Sequence, residues 1–349
     1  MTSPNRIKVL QIAPSLGVHG GIEAVAVAIA DESSMHEDIL PSILFRLRGG
    51  CSVAPGFKKL TENRKYPVHL FRLNVLTLLH QILIHDVIHC HYPLTWALIP
   101  AFLFGKKTVV TVHNKMPPGG GCFRYLERSC LINCSKVIFN SNFVSSTWGI
   151  LLDQKKFRRV PATASRNVAF VPSNERRGFI VIARLIPEKG VKQLIQAYQD
   201  SSIDHTRHPL FVVGVGPFEA ELRQEAAKSK TKYIHFLGYR SEDEKVSCIA
   251  RSLWNIAPAI FEEDQGMTPI EATLCGVPSI ITNIGGLPES GGPGALAVPP
   301  CNVKALTDAL KEAAEMSAEN YAARCEANQS YLTKYLEAED HYSRLYKDL

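Results

Sequence analysis

In the stretch FIVIARLIPEKGVKQLIQAY, residues 179–198, five apolar residues in succession give way to Arg184, a turn containing Pro187 and Gly190, and a helical pattern. An uninterrupted apolar run of this length reads as a strand buried on both faces, the kind found in parallel sheets covered by helices. Proline and glycine mark the passage from strand to helix. The unit is therefore strand, polar turn, helix.

The same unit recurs in both directions. Towards the C-terminus, 210–213, 234–237, 253–257 and 279–282 read as strands, with helices after Phe218, Ser241 and Thr268. Towards the N-terminus, strands are expected at 7–13, 42–47, 86–91, 108–113 and 136–140, with helices near Ile22, after Leu94 and over about 125–134. This is the alternation of an α/β protein with parallel sheets. Between 158 and 178 the periodicity fails in RRVPATASRNVAFVPSNERRG, which marks a hinge. A chain of 349 residues exceeds what one core usually organises. Two domains are expected, 1–165 and 166–331, with a ligand-binding cleft between them. The charged tail has no strand to pair with, and a helix at about 332–349 is expected to pack back on the first domain.

Composition narrows the function classes. With 46% hydrophobic and 21% charged residues the chain reads as globular rather than disordered or fibrous. No apolar run is long enough to cross a bilayer, and the opening MTSPNRIKVLQIAPS enters a strand without a signal-peptide pattern, so a cytoplasmic location is expected. Nine scattered cysteines, an odd number, argue for reduced thiols. Cys122, Cys130 and Cys134 lack zinc-knuckle spacing, and no metal site is expected. A net charge of +6 suits phosphate-bearing ligands or an anionic membrane surface better than nucleic acid. The basic residues Lys155, Lys156, Arg158, Arg159, Arg176 and Arg177 read as a solvated face.

Chemistry concentrates at strand ends, where α/β sheets collect their ligands. Gly20 and Gly21 close the first strand-to-helix turn, either as a flexible turn or as a place where an anion meets open backbone N–H groups. Gly214 and Gly216 begin like a dinucleotide fingerprint, but Glu219 stands where the third glycine belongs, which argues against NAD and for a tight turn against a nucleotide. Arg184 and Lys189 flank the quoted turn, either as a cation pair for a diphosphate or as surface charges paired with Glu188. In PAIFEEDQGMTPIEA, residues 258–272, Glu263 lies on a loop and Glu271 one turn into a helix, with Gly266, Met267 and Thr268 at its start. Carboxylates so placed accept hydroxyl donors from a ribose or sugar, and the helix start offers N–H groups to an anion. His91 and His113 end two strands of the first domain.

Taken together, these residues resemble the retaining glycosyltransferases of family four, also grouped as glycosyl transferases group 1. The resemblance rests on Gly20-Gly21, His113, Ala183-Arg184 with Lys189-Gly190, Gly214-Val215-Gly216, Glu263 and Glu271 eight apart, and Gly285-Gly286-Leu287-Pro288-Glu289. It departs from the family at Gln265, where an aromatic residue is usual, at Ala183, and in the linker. It implies the GT-B fold, two Rossmann-like domains with parallel sheets facing across a cleft. It also implies transfer of a sugar from a UDP or GDP donor to a saccharide or lipid-linked acceptor, with retention. By the same resemblance Glu271 holds the ribose, Glu263 the sugar hydroxyls, and Arg184 and Lys189 the diphosphate, while His113 shapes the sugar pocket. No Asp-x-Asp pair is present, so neither metal nor other cofactor is expected. Lys115, Phe123, Arg124 and Tyr125 are candidates for peripheral contact with a membrane. A nucleotide-sugar 2-epimerase of the same fold and a non-catalytic nucleotide-sugar binding subunit are the alternatives. Either would be told apart by whether a donor changes without acceptor.

Overall fold

The structure, a computed structural model, describes residues 6–15, 17, 20–47, 53–72, 74–119, 121–150, 157–159, 171–228, 231–336 and 341–349. The chain divides into two compact units, Met1–Ala164 with Glu337–Leu349, and Ser165–Leu336. The expected junction at 165 and 166, most of the expected hinge, and Lys155 and Lys156 lie outside the described residues.

In the first unit β1 (Ile7–Ser15), β2 (Ile39–Leu47), β3 (Val68–Phe71), β4 (Val87–Cys90), β5 (Lys107–Val112), β6 (Lys136–Phe139) and β7 (Phe157–Arg159) form one seven-stranded sheet in the order β3-β2-β1-β4-β5-β6-β7. Every pairing is parallel. The connecting helices are α1 (Gly21–Ser33), α2 (Pro55–Thr61), α3 (Val75–Ile84), α4 (Thr95–Leu103), α5 (Cys122–Asn133) and α6 (Asn142–Trp148). Apolar side chains from alternate strand positions pack in two layers. Ala13, Ile43 and Phe45 meet the alanines of α1, whereas Ile12, Val110 and Phe139 meet Leu98, Leu131 and Trp148. Ala26 and Ala30 keep α1 close to β1, a proximity used below.

The second unit repeats the plan. Its strands β8 (Phe179–Ile182), β9 (Leu210–Val213), β10 (Ile234–Gly238), β11 (Trp254–Ala257), β12 (Ser279–Thr282) and β13 (Leu296–Val298) are all parallel, in the order β10-β9-β8-β11-β12-β13. Its helices are α7 (Val191–Asp200), α8 (Glu219–Ala227), α9 (Glu242–Ala250), α10 (Met267–Leu274), α11 (Leu287–Gly291), α12 (Val303–Glu315) and α13 (Ala318–Leu336). The strand order reverses between β8 and β11, so the loops leaving their carboxyl ends lie beside one another at the switch point.

Two expectations change. Arg176 belongs to no solvated face: it is buried, and its guanidinium donates to the carbonyls of Val171 (3.0 Å), Cys275 (2.9 Å) and Gly276 at the end of α10. Orphan carbonyls at a helix end attract a cation, and Arg supplies enough donors for several at once. The tail also turns back later than position 332. Tyr321 donates to Leu253 O at 2.8 Å and Asn328 accepts from Gly294 N at 2.6 Å, which keeps α13 with the second unit. The last helix, α14 (His341–Lys347), belongs to the first unit: Tyr346 is buried beside His89, Ser343 donates to Glu32 at 3.3 Å, and Lys347 pairs with Asp38 at 2.8 Å. Among the described residues no helix is long and apolar enough to cross a membrane, and eight cysteines are free thiols.

Candidate functional site

The turn between β8 and α7 is built by close backbone approach. After β8 the chain makes a short turn at Pro187–Lys189 and enters α7 through Gly190, whose φ of 68° suits glycine. A Cβ there would lie 1.8 Å from the carbonyl oxygen of Pro258, in the loop after β11. Ile260 N donates to Glu188 O at 3.0 Å and ties the two loops together. On the far side Gly286 N donates to Glu263 O at 2.7 Å, and Gly285 leaves no room for a side chain against the same residue. Glu263 is thus clamped between the loops after β8 and β12.

The consequence is an ion pair between Lys189 and Glu263, with 22% and 21% of the two side chains exposed. Lys189 pairs with Glu263 and not with Glu188, because the inter-loop hydrogen bond points Lys189 across the switch point. Arg184 stands on the same loop between two anchored residues. Leu185 N donates to Val215 O at 3.0 Å, and Gly214 lets its own loop press against Ala183 O. The backbone is fixed while the guanidinium is exposed, with no side-chain partner among the described residues. Gly214 and Gly216 are explained by this packing alone, since a Cβ on either would strike Ala183 O or Leu185 O at 1.9 and 2.2 Å.

Gly266 begins α10 with φ 82°, and Met267 and Thr268 form its open first turn. Glu271, on the same helix, is buried. Its Oε1 accepts from Lys245 Nζ at 2.8 Å, and its Oε2 has no hydrogen-bond partner among the described residues. One of the two oxygens expected to face a ribose is therefore already engaged. Burial raises the Glu271 carboxyl above its usual range, with Lys245 opposing. Burial also works against the Lys245 ammonium, but Glu271 and Glu242 outweigh it and raise its pKa. Sequence reasoning missed Lys245, which sits in a run of charges on α9 that reads as a solvated helix face.

In the first unit, Gly20 precedes α1 in extended backbone, and a side chain there would meet the Glu23 carboxylate at 2.7 Å. Glu23 is buried and accepts from Ser15 Oγ at 2.8 Å, so the turn at Gly20 and Gly21 already has a carboxylate beside it. His113 follows β5 and is buried, with its Nε2 3.0 Å from His91 Nδ1. His89 stacks on His91 with centroids 4.7 Å apart, and its nitrogens meet Tyr346 Oη at 2.6 Å and Thr111 Oγ1 at 2.8 Å. Burial holds all three imidazoles neutral: His89 falls to about 3, His113 to about 4, and His91 well below the ordinary value. His89 and Gln11, register neighbours on β4 and β1, escaped the sequence reading, because both are buried in strand interiors. Among the described residues no three His, Cys, Asp or Glu side chains gather as metal ligands.

Residues 166–330 match the family described as Glycosyl transferases group 1, and residues 44–149 match Glycosyltransferase Family 4. The chain is 26% identical over 246 residues to D-rhamnosyltransferase WbpZ of Pseudomonas aeruginosa, covering 65% of this chain and 63% of that one. Over 175 residues it is 31% identical to a GDP-mannose-dependent monoacylated alpha-(1-6)-phosphatidylinositol monomannoside mannosyltransferase of Corynebacterium glutamicum, covering 46% and 44%. It spans less than two thirds of the length of either relative. Anabaena HepE, solved in complex with UDP, shares the fold with a TM-score of 0.79 at 18% identity, over 98% of this chain and 100% of that one.

Proposed function

Because the chain belongs to the family-four, group 1 glycosyltransferases and has their GT-B fold, we propose that it moves a sugar from a nucleoside diphosphate donor to a saccharide or lipid-linked acceptor, with retention and without a metal. The observation that carries this reading is the Lys189–Glu263 pair at the switch point, partly open to solvent and next to the unengaged Arg184. As the anomeric bond breaks, charge accumulates on the leaving diphosphate, and fixed cations with open N–H groups stabilise it more than they stabilise the bound donor. Arg184, Lys189 and the first turn of α10 at Gly266, Met267 and Thr268 supply that charge. A diphosphate that takes Lys189 frees Glu263 to accept sugar hydroxyls, which couples recognition of the two halves of the donor. Glu271 keeps one oxygen for the ribose. His113 takes no proton near neutral pH, so it serves as a hydrogen-bonding group to the sugar rather than as a strong base.

A relative named for GDP-mannose and a neighbour solved with UDP support testing both bases. Phe123 and Tyr125 on α5, 58% and 78% exposed, support a peripheral membrane contact beside a lipid-linked acceptor. The test is a thermal-shift screen of UDP and GDP sugars followed by incubation with saccharide and lipid-linked acceptors. A donor at a hundred times its Kd adds about 2.7 kcal/mol of stability. Retained anomeric configuration in the product by NMR supports the reading. Conversion of the donor without acceptor points to the epimerase, and no stabilisation by any nucleoside diphosphate rejects a donor site here.

A further inference from the structure

Gln11 lies in the middle of β1 with no exposed surface. Its amide faces α1 across the gap that Ala26 and Ala30 keep narrow. One end meets the carbonyl of Ala26 at 3.1 Å and the other the N–H of Ala30 at 3.1 Å. Only one orientation satisfies both backbone groups: nitrogen towards Ala26 O and oxygen towards Ala30 N. In that orientation the amide nitrogen also points at His91 Nε2, 2.8 Å away. An amide nitrogen donates and has no lone pair to offer, so His91 Nε2 is the acceptor and carries no proton. A neutral His91 then holds its proton on Nδ1, which faces His113 Nε2 at 3.0 Å. His113 accepts there, and its own proton is left on Nδ1.

We propose that Gln11 and His91 are positioning residues that fix His113 as the neutral tautomer protonated on Nδ1, so that it offers a bound sugar a hydrogen-bond donor and never a lone pair. The role assigned to the sugar rests on the transferase reading above; the tautomer does not. The relay begins at the backbone of a helix, which cannot change its donors and acceptors, and each later member has one remaining choice. His89, stacked on His91, holds that ring in place and has hydroxyl partners of its own, so it competes for neither nitrogen of the relay. Burial disfavours the imidazolium forms of His91 and His113, which would break the chain of acceptors.

Long-range proton–nitrogen correlation spectra of the full chain labelled with 15N-histidine read the tautomer directly, with His113→Asn identifying the signal. The wild type is expected to show Nδ1 protonated and Nε2 bare at His113. Gln11→Met should release this preference and lower kcat about tenfold, the size of one neutral hydrogen bond, with nucleoside diphosphate affinity unchanged. The amide of His113→Asn donates whatever the relay does, so adding Gln11→Met to it should cost no further activity. A proton on Nε2 in the wild type overturns the proposal. So does a Gln11→Met enzyme that changes tautomer but keeps its kcat, or one that loses as much activity in the His113→Asn background. The wild-type spectrum decides the relay even if Gln11→Met fails to fold. A wild type that transfers no sugar refutes the transferase reading, while the same spectrum still decides the tautomer.

Discussion

In the first unit the side chains at the strand ends are imidazoles almost wholly shielded from water, and in the second they are charges held at the mouths of loops. His91 and His113 are buried and neutral, and partners fixed by the helix backbone define their protons. Lys189, Glu263 and Arg184 keep part of their exposure, and tight glycine turns set their positions. The difference is one of what each region keeps constant. A buried hydrogen-bond chain fixes the direction of a donor but carries no net charge. A loop at the sheet edge carries charge that a ligand can take over, because water already reaches it.

The largest effect is expected at the charges. Replacing both Arg184 and Lys189 with Ala should cost nucleoside diphosphate affinity about 3–6 kcal/mol, from two charged hydrogen-bonding groups that act independently, and leave a bare nucleoside nearly unaffected. Calorimetric titration of both ligands reads this, and equal losses for the two would show a damaged fold. Next come the turns that aim the charges. Gly190→Ala puts a Cβ against Pro258 O in left-handed backbone and should lower stability by about 1–3 kcal/mol in urea denaturation. A neutral result there would mean that the loops after β8 and β11 are not locked together.

The imidazoles give a smaller and pH-dependent effect. The unfolded chain protonates each histidine near pH 6.5, while folded His113 and His89 stay neutral to about 4 and about 3. Between those values the unfolded state binds more protons, so the stability present above about pH 6.5 is lost as the pH falls, by about 1.4 kcal/mol per pH unit for each histidine. Urea titrations from pH 7 to pH 4 should show this slope, and His91→Gln should reduce it. An unchanged slope would mean that these rings are not sealed. The smallest effect expected is none: EDTA should leave the transfer rate unaltered, and loss restored by magnesium or manganese would place the diphosphate charge on a metal.

The parallel architecture and the family were legible because buried strands and glycine turns leave local marks. Ile7 to Ala13 and Leu210 to Val213 are runs that only a covered strand tolerates. Edge strands left fainter marks: β3 is half exposed along VHLF, and β13 has only three residues. Arg184 and Lys189 stood out because they flank a turn with proline and glycine at a strand end, and Glu263 and Glu271 because they stand eight apart around a glycine that opens a helix. Lys245 did not, since Glu242 is an ordinary neighbour one turn away on α9, Glu271 comes from α10, and nothing in EDEKVSC separates a buried ammonium from a solvated one. Gln11 was hidden for the same reason. A glutamine inside an apolar run announces a buried amide, but only the packed helix shows which way the amide must face.

Tyr346 meets His89 across 257 positions of chain, and the whole second unit lies between them. During translation the first sheet and its helices emerge early, yet the ring against His89 is made only after the whole second unit. Domains tend to fold as they leave the ribosome, N-terminal first. Here the earlier domain must wait with one face of its core uncovered while the later one is completed. Closing so long a loop costs little more entropy than closing a short one, but the contact forms late. A stalled or prematurely terminated chain would therefore expose the histidine stack rather than the charged loops after β8 and β11, and quality control would meet the first unit before the second.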